Sequence, residues 1–179
     1  MHPQISIPLL SLLLFGCHTS LKIPGSLQGL GRSPTPYFVH KSHTSEYAFP
    51  VLAEHHISSP FGMRIHPITN ISKMHNGVDI AAPKGTPIYP IAKGTTVFSG
   101  NQTGYGKIVI VDHGAGVTSR YAHCDTLNTN VGDTVEPNTK IASVGNTGSA
   151  TGYHLHLEIR TEDTPIDPLP LLQDTSRKE

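Results

Sequence analysis

The chain is expected to be mainly β: a folded, curled antiparallel sheet in a single domain, with little helix. Three observations carry that expectation. From Ile57 to Arg160, short apolar runs alternate with turn signals at about one strand per dozen residues. Connections that short leave no room for the helical crossovers that parallel strands need. Seventeen Gly and fifteen Pro among 179 residues break up any long helix.

Charge and cysteine content narrow the function classes. Thirteen Lys and Arg balance thirteen Asp and Glu, so there is no basic footprint and no nucleic-acid partner is expected. Two Cys cannot build a disulfide framework. The unusual count is twelve His. Imidazole is the commonest metal ligand and the side chain that exchanges protons near neutral pH.

Taken in chain order, the first element is an apolar run from Ile5 to Gly16. It is too short to span a bilayer and sits where the apolar region of a signal peptide belongs. Residues 1–16 therefore read as an export leader. The run ends Leu14-Phe15-Gly16-Cys17, which resembles the lipobox of bacterial lipoproteins. That resemblance implies cleavage before Cys17, lipidation of Cys17 and a membrane anchor in the cell envelope. The location would be the outer membrane or periplasm if the host has one, otherwise the outer face of the cell membrane. Cys124 is then the only free thiol. Residues 17–56 read as a tether interrupted by Pro24, Gly25, Gly29, Gly31, Pro34, Pro36 and Pro50. Within it, Tyr47 to Leu52 could pack on the domain or cover its groove.

A domain follows over residues 57–170, with a tail at 171–179. Strands are expected at Thr95–Ser99, Lys107–Asp112, Val117–His123, Lys140–Val144 and His154–Arg160. Lys107-Ile108-Val109-Ile110-Val111 lacks alternation and reads as a central strand buried on both faces. Pro168 to Leu172 can form a single helical turn.

The chemistry gathers in short segments. Along His154-Leu155-His156-Leu157-Glu158-Ile159, a period of two sends His154, His156 and Glu158 to one face and the apolar residues to the other. Two imidazoles ~7 Å apart then share one space. The blander reading is a solvated polar face. In His75-Asn76-Gly77-Val78-Asp79, a bend at Asn76-Gly77 would bring imidazole and carboxylate together, whereas a straight strand would leave them ~13 Å apart. His123 ends a strand and carries no signal alone; Cys124 beside it should point the other way. Together the segments offer two imidazoles and one carboxylate. That three-ligand set suits zinc and leaves a fourth position for water, and the remaining His could serve as acid, base or oxyanion groups.

The segment from Ser59 to Arg160 resembles the lysostaphin/LytM-type zinc metallopeptidases, the M23 family. The resemblance is carried by Ser58-Ser59-Pro60-Phe61-Gly62-Met63-Arg64, His75-Asn76-Gly77-Val78-Asp79-Ile80-Ala81-Ala82-Pro83, Gly104-Tyr105-Gly106, Tyr121-Ala122-His123 and Gly148-Ser149-Ala150-Thr151-Gly152-Tyr153-His154-Leu155-His156. It implies a groove on the sheet and hydrolysis of peptide bonds in peptidoglycan, whether in a cross-link or a stem peptide, during cell-wall remodelling. It further implies that His75, Asp79 and His156 bind one zinc ion per domain and that His123 and His154 are the catalytic histidines. Phe61, Arg64 and His113 read as supporting positions, and Arg64 could orient Asp79 or a substrate carboxylate. Tyr153 stands where Pro or Thr is usual in the family and could alter the groove. Partners implied are peptidoglycan peptides, the membrane through Cys17, and other cell-wall enzymes. The alternative is a non-catalytic peptidoglycan-binding or hydrolase-activating module of the same fold.

Overall fold

A computed structural model of the chain describes residues 47–65 and 71–173, and these run almost wholly as strand and turn. The strands in order are β1 (Tyr47–Ala48), β2 (His56–Ser59), β3 (Gly62–Ile65), β4 (Ser72–His75), β5 (Val78–Ala81), β6 (Pro87–Ile88) and β7 (Gly94–Gln102). There follow β8 (Gly106–Gly114), β9 (Val117–Leu127), β10 (Thr134–Val135), β11 (Ala142–Val144), β12 (His154–Thr161), β13 (Thr164–Ile166) and β14 (Leu172–Gln173). The one helical piece among the described residues is a 3-10 turn at Leu169–Leu171. The mainly β, antiparallel expectation therefore holds.

The main sheet has the order β10-β7-β8-β9-β12-β5-β2, with β13 pairing β12 and β11 bridging β6 and β9. Its long meander forms because each hairpin carries a turn its strands can close. Between β8 and β9, Ala115 and Gly116 both take positive φ, 50° and 76°. Two positive angles make the turn whose twist matches paired strands. Between β12 and β13, Glu162 and Asp163 do the same at 48° and 61°. β3 and β4 form a separate hairpin in which Met63 pairs Met74 and Arg64 pairs Lys73.

The core lies on the apolar side of β12. Leu155, Leu157 and Ile159 are fully buried there with Val78, Ile80, Val109, Val111 and Tyr121. The Tyr121 hydroxyl accepts the Ile91 N–H at 2.8 Å, so burying this polar ring leaves its oxygen satisfied. β8 is central in the sheet as expected, with Ile108, Val109 and Val111 buried, but Ile110 is only half-buried.

The folded unit begins ahead of the boundary expected at residue 57. Phe49 and Val51 belong to the core, and Tyr47–Ala48 pairs in parallel with Leu172–Gln173, a stretch expected to be tail. Tyr47 to Val51 thus packs on the domain rather than over its groove. Pro50 and the shortness of both strands hide them from any periodicity. The proposed leader and Cys17 lie outside the described residues.

Because Phe49 contributes core volume from outside the expected domain, Phe49→Ala should lower unfolding stability by about 3–5 kcal/mol. Urea melts of the two chains would measure this, and a shift within error would place residues 47–51 outside the cooperative unit.

Candidate active site

The site is assembled by register. β5 and β12 pair so that Asp79 stands opposite His156, and β12 pairs with β9 so that His156 stands opposite Ala122. His75 ends β4 and reaches the same point through the Asn76-Gly77 turn. That turn needs glycine. A Cβ on Gly77 would lie 2.2 Å from the Leu157 carbonyl oxygen, because the turn rests directly on the β12 backbone.

Three donor atoms converge as a result. His75 Nε2 lies 3.1 Å from Asp79 Oδ1, His156 Nδ1 lies 2.8 Å from the same oxygen, and the two ring nitrogens are 3.1 Å apart. Donors around a tetrahedral ion with bonds of ~2.0–2.1 Å stand ~3.3 Å from one another. The cluster is therefore gathered to within about half an ångström of what such an ion needs. His75, Asp79 and His156 are the described residues able to hold a metal in this way.

Each ring has its outer nitrogen tied to a group that can only accept, which keeps a proton on that nitrogen. His75 Nδ1–H donates to the Pro60 carbonyl at 2.7 Å. His156 Nε2–H donates to the Glu158 carboxylate at 3.2 Å. His123 Nδ1–H donates to the Thr147 carbonyl at 2.8 Å, and His154 Nδ1–H to the Gly152 carbonyl at 2.9 Å. The inner nitrogens of His75 and His156 meet at Asp79 Oδ1 and, once deprotonated, can each give a lone pair to a metal. His154 Nε2 is 3.7 Å from Asp79 Oδ1, and the His123 and His154 rings have centroids 4.8 Å apart.

The electrostatics follow from burial and pairing. Burial alone would raise the Asp79 carboxyl, but hydrogen bonds from His156 and His75 outweigh it and hold the acid well below the usual carboxylate range. Burial opposes protonation of His156, but Asp79 and Glu158 outweigh it and raise the ring. Burial pushes His123 down to about 4; the bond to Thr147 opposes this, and His154 and His156 nearby reinforce it. His123 is thus neutral at physiological pH.

His123 also sits in a strained backbone. Its φ is +62°, inside a bulge where β8 and β9 slip register between Tyr121 and Cys124. The bulge aims the ring into the groove and keeps Cys124 in the core, where its thiol is buried and pushed up to about 12. The displaced His123 N–H donates to the Tyr105 carbonyl at 2.9 Å. Cys124 is excluded as a ligand by this placement.

Two contributors carried no assignment from the sequence. Glu158 is 1% exposed and accepts from His156, from the Tyr105 hydroxyl at 2.7 Å and from Arg160 Nε at 2.8 Å. Its place on the histidine face of β12 was the available signal. Tyr105 lines the groove beside it. Arg64 lines the groove too, with its guanidinium 3.5 Å from Asp79 Oδ2. Phe61, His113 and Tyr153 do not line it. His113 bonds instead to the Lys93 carbonyl and Ser119 on neighbouring strands, and Tyr153 is 48% exposed.

Comparison with known proteins agrees with this geometry. Residues 73–168 match the family described as Peptidase family M23. The DD-carboxypeptidase/endopeptidase Mpg of Neisseria meningitidis is 42% identical over 119 residues, covering 66% of this chain and 27% of that protein. The uncharacterized lipoprotein YgeR of Escherichia coli is 40% identical, covering 65% of this chain and 47% of its own length. A crystal structure of a zinc-containing peptidase from Vibrio cholerae superposes with a TM-score of 0.65 at 32% identity, covering 72% of this chain and 40% of that one. The chain spans less than half the length of each of these.

The bulge at His123 gives a stability test separate from activity. At positive φ a Cβ costs about 1–2 kcal/mol, so His123→Gly should be more stable than His123→Ala by about 1 kcal/mol. Equal thermal midpoints for the two variants would mean the bulge holds no strain.

Proposed function

The chain belongs to peptidase family M23, and from that premise we propose that it is a zinc-dependent endopeptidase hydrolysing peptide bonds in bacterial peptidoglycan. The observation that supports this most is the convergence of His75 Nε2, Asp79 Oδ1 and His156 Nδ1, with every outer ring nitrogen already engaged. One carboxylate against a divalent ion leaves the centre net positive. Bound there, zinc supplies Lewis acidity toward a peptide carbonyl and toward water.

The remaining work falls to this chain's own groups. The His123 and His154 rings line the groove beside the cluster and are the groups able to take a proton at the scissile bond and return it. When protonated, either can donate to oxygen charge developing on the carbonyl. Their carbonyl anchors at Thr147 and Gly152 hold the rings in place throughout. Tyr105 confines the groove wall and, through Glu158, steadies the ring of His156.

The same reading places the protein in the cell envelope. Residues 1–16 act as a leader removed before Cys17, Cys17 carries the lipid, and the segment between it and Tyr47 tethers the domain. Support comes from the apolar run and the lipobox-like sequence, with a relative named as a lipoprotein.

The purified chain with zinc should release amine groups from peptidoglycan, and chelator should stop it. Bound zinc with no turnover on a broad panel of muropeptides would shift the reading to a binding or hydrolase-activating module. His156→Ala should lose both metal and activity, measured by metal content and amine release. His123→Ala should keep zinc while turnover falls about 10²- to 10⁴-fold; retained turnover would remove it from the chemistry. Glu158→Gln should weaken zinc about tenfold in competition with a chromophoric chelator. An unchanged affinity would make Glu158 a purely structural acid.

A further inference from the structure

The β3–β4 hairpin carries a charge arrangement that the fold does not need. Arg64 and Lys73 stand directly opposite each other, so their side chains share one face. Like charges so placed destabilise a strand pair. Both side chains line the groove. Met63 and Ile65 on the other face are exposed and apolar, so Arg64 and Lys73, with Met74 between Lys73 and His75, are what the hairpin brings to the groove.

The charges of the groove are then counted out. Asp79 is engaged by His75, His156 and Arg64. Glu158 is engaged by Tyr105, His156 and Arg160. Arg64 is half-buried against Asp79. Lys73 is exposed and, among the described residues, has no ion-pair partner. The far wall offers neutral hydroxyls, from Thr103, Ser149 and Thr151. Positive charge free to bind is therefore confined to one lip, two positions along β4 from His75, or ~7 Å. That distance is one to two residues of an extended peptide.

We propose that Lys73, backed by Arg64, forms a subsite for a free carboxylate of the peptide substrate within two residues of the bond that is cut. This rests on the peptidase reading above and sharpens its substrate class: the preferred peptide is acidic at that point and not amidated. Arg64 sets the geometry by holding Asp79, and Lys73 supplies the charge-assisted contact.

The test uses two cross-linked stem-peptide substrates, identical except that the carboxylate flanking the scissile bond is a free acid in one and a carboxamide in the other. Binding is measured by calorimetry on the zinc-loaded full chain carrying His123→Ala, in which cleavage is slowed, with the substrate checked for cutting afterwards. The acid should bind about fivefold more tightly than the amide at low salt, a preference that shrinks as ionic strength rises. Adding Lys73→Gln should bring the ratio close to one, and Lys73→Arg should restore most of it. No acid preference, or one that survives Lys73→Gln, overturns the subsite. Cleavage by the unmodified chain is scored separately. If neither substrate is cut, the peptidase reading fails, while the binding ratio still decides the subsite.

Discussion

The pairing of Asp79 with His156 across β5 and β12 is the constraint on which the site depends. It is a backbone register, held by the leucine face of β12 on the other side of the sheet. Side chains alternate with a period of two, so a slip of one residue would bury His154 and His156 and expose Leu155 and Leu157. The apolar core therefore does more than stabilise the sheet. It excludes the alternative pairing and so delivers the carboxylate and the imidazole to the same point.

Parts of this were legible in the sequence because they obey local rules. Alternation along His154 to Ile159 separates groove from core, and Asn76-Gly77 announces the bend that brings His75 to Asp79. Other parts obey no local rule. The two-residue pairing of Tyr47–Ala48 with Leu172–Gln173 joins the ends of the described chain, and neither partner shows a pattern alone. The β12–β13 turn uses Glu162 and Asp163 at positive φ, with no glycine to mark it. His123 is aimed by a bulge, which alternation cannot express. His113 is turned to the Lys93 carbonyl and Ser119 on neighbouring strands, a placement that no spacing along the chain announces.

The groove is also a case of opposed costs. Glu158 is nearly inaccessible to water, and a buried carboxylate is unfavourable unless its oxygens are filled. Tyr105, His156 and Arg160 fill them, and Arg120 adds positive charge at 3.9 Å. This arrangement keeps Glu158 ionised, well below the usual carboxylate range despite its burial, which works against that. An ionised Glu158 keeps a proton on His156 Nε2 and leaves Nδ1 as the nitrogen that faces Asp79. The inner atom of the site is thus chosen by a group one layer behind it.

That logic explains why the site combines a sheet with the loops at its edge. Four rings must each present one nitrogen to a common point, and each must be stopped from rotating. Carbonyls free for this purpose lie in the connections between strands, where the ladders do not use them. Pro60, Thr147 and Gly152 are all such places, between β2 and β3 and between β11 and β12. The bulge at His123 is the same device taken further, with backbone strain accepted so that one more ring can reach the cluster. Rigid pairing supplies position, local irregularity supplies anchors, and Lys73 leaves a positive charge, unpaired among the described residues, on the β4 lip of the groove.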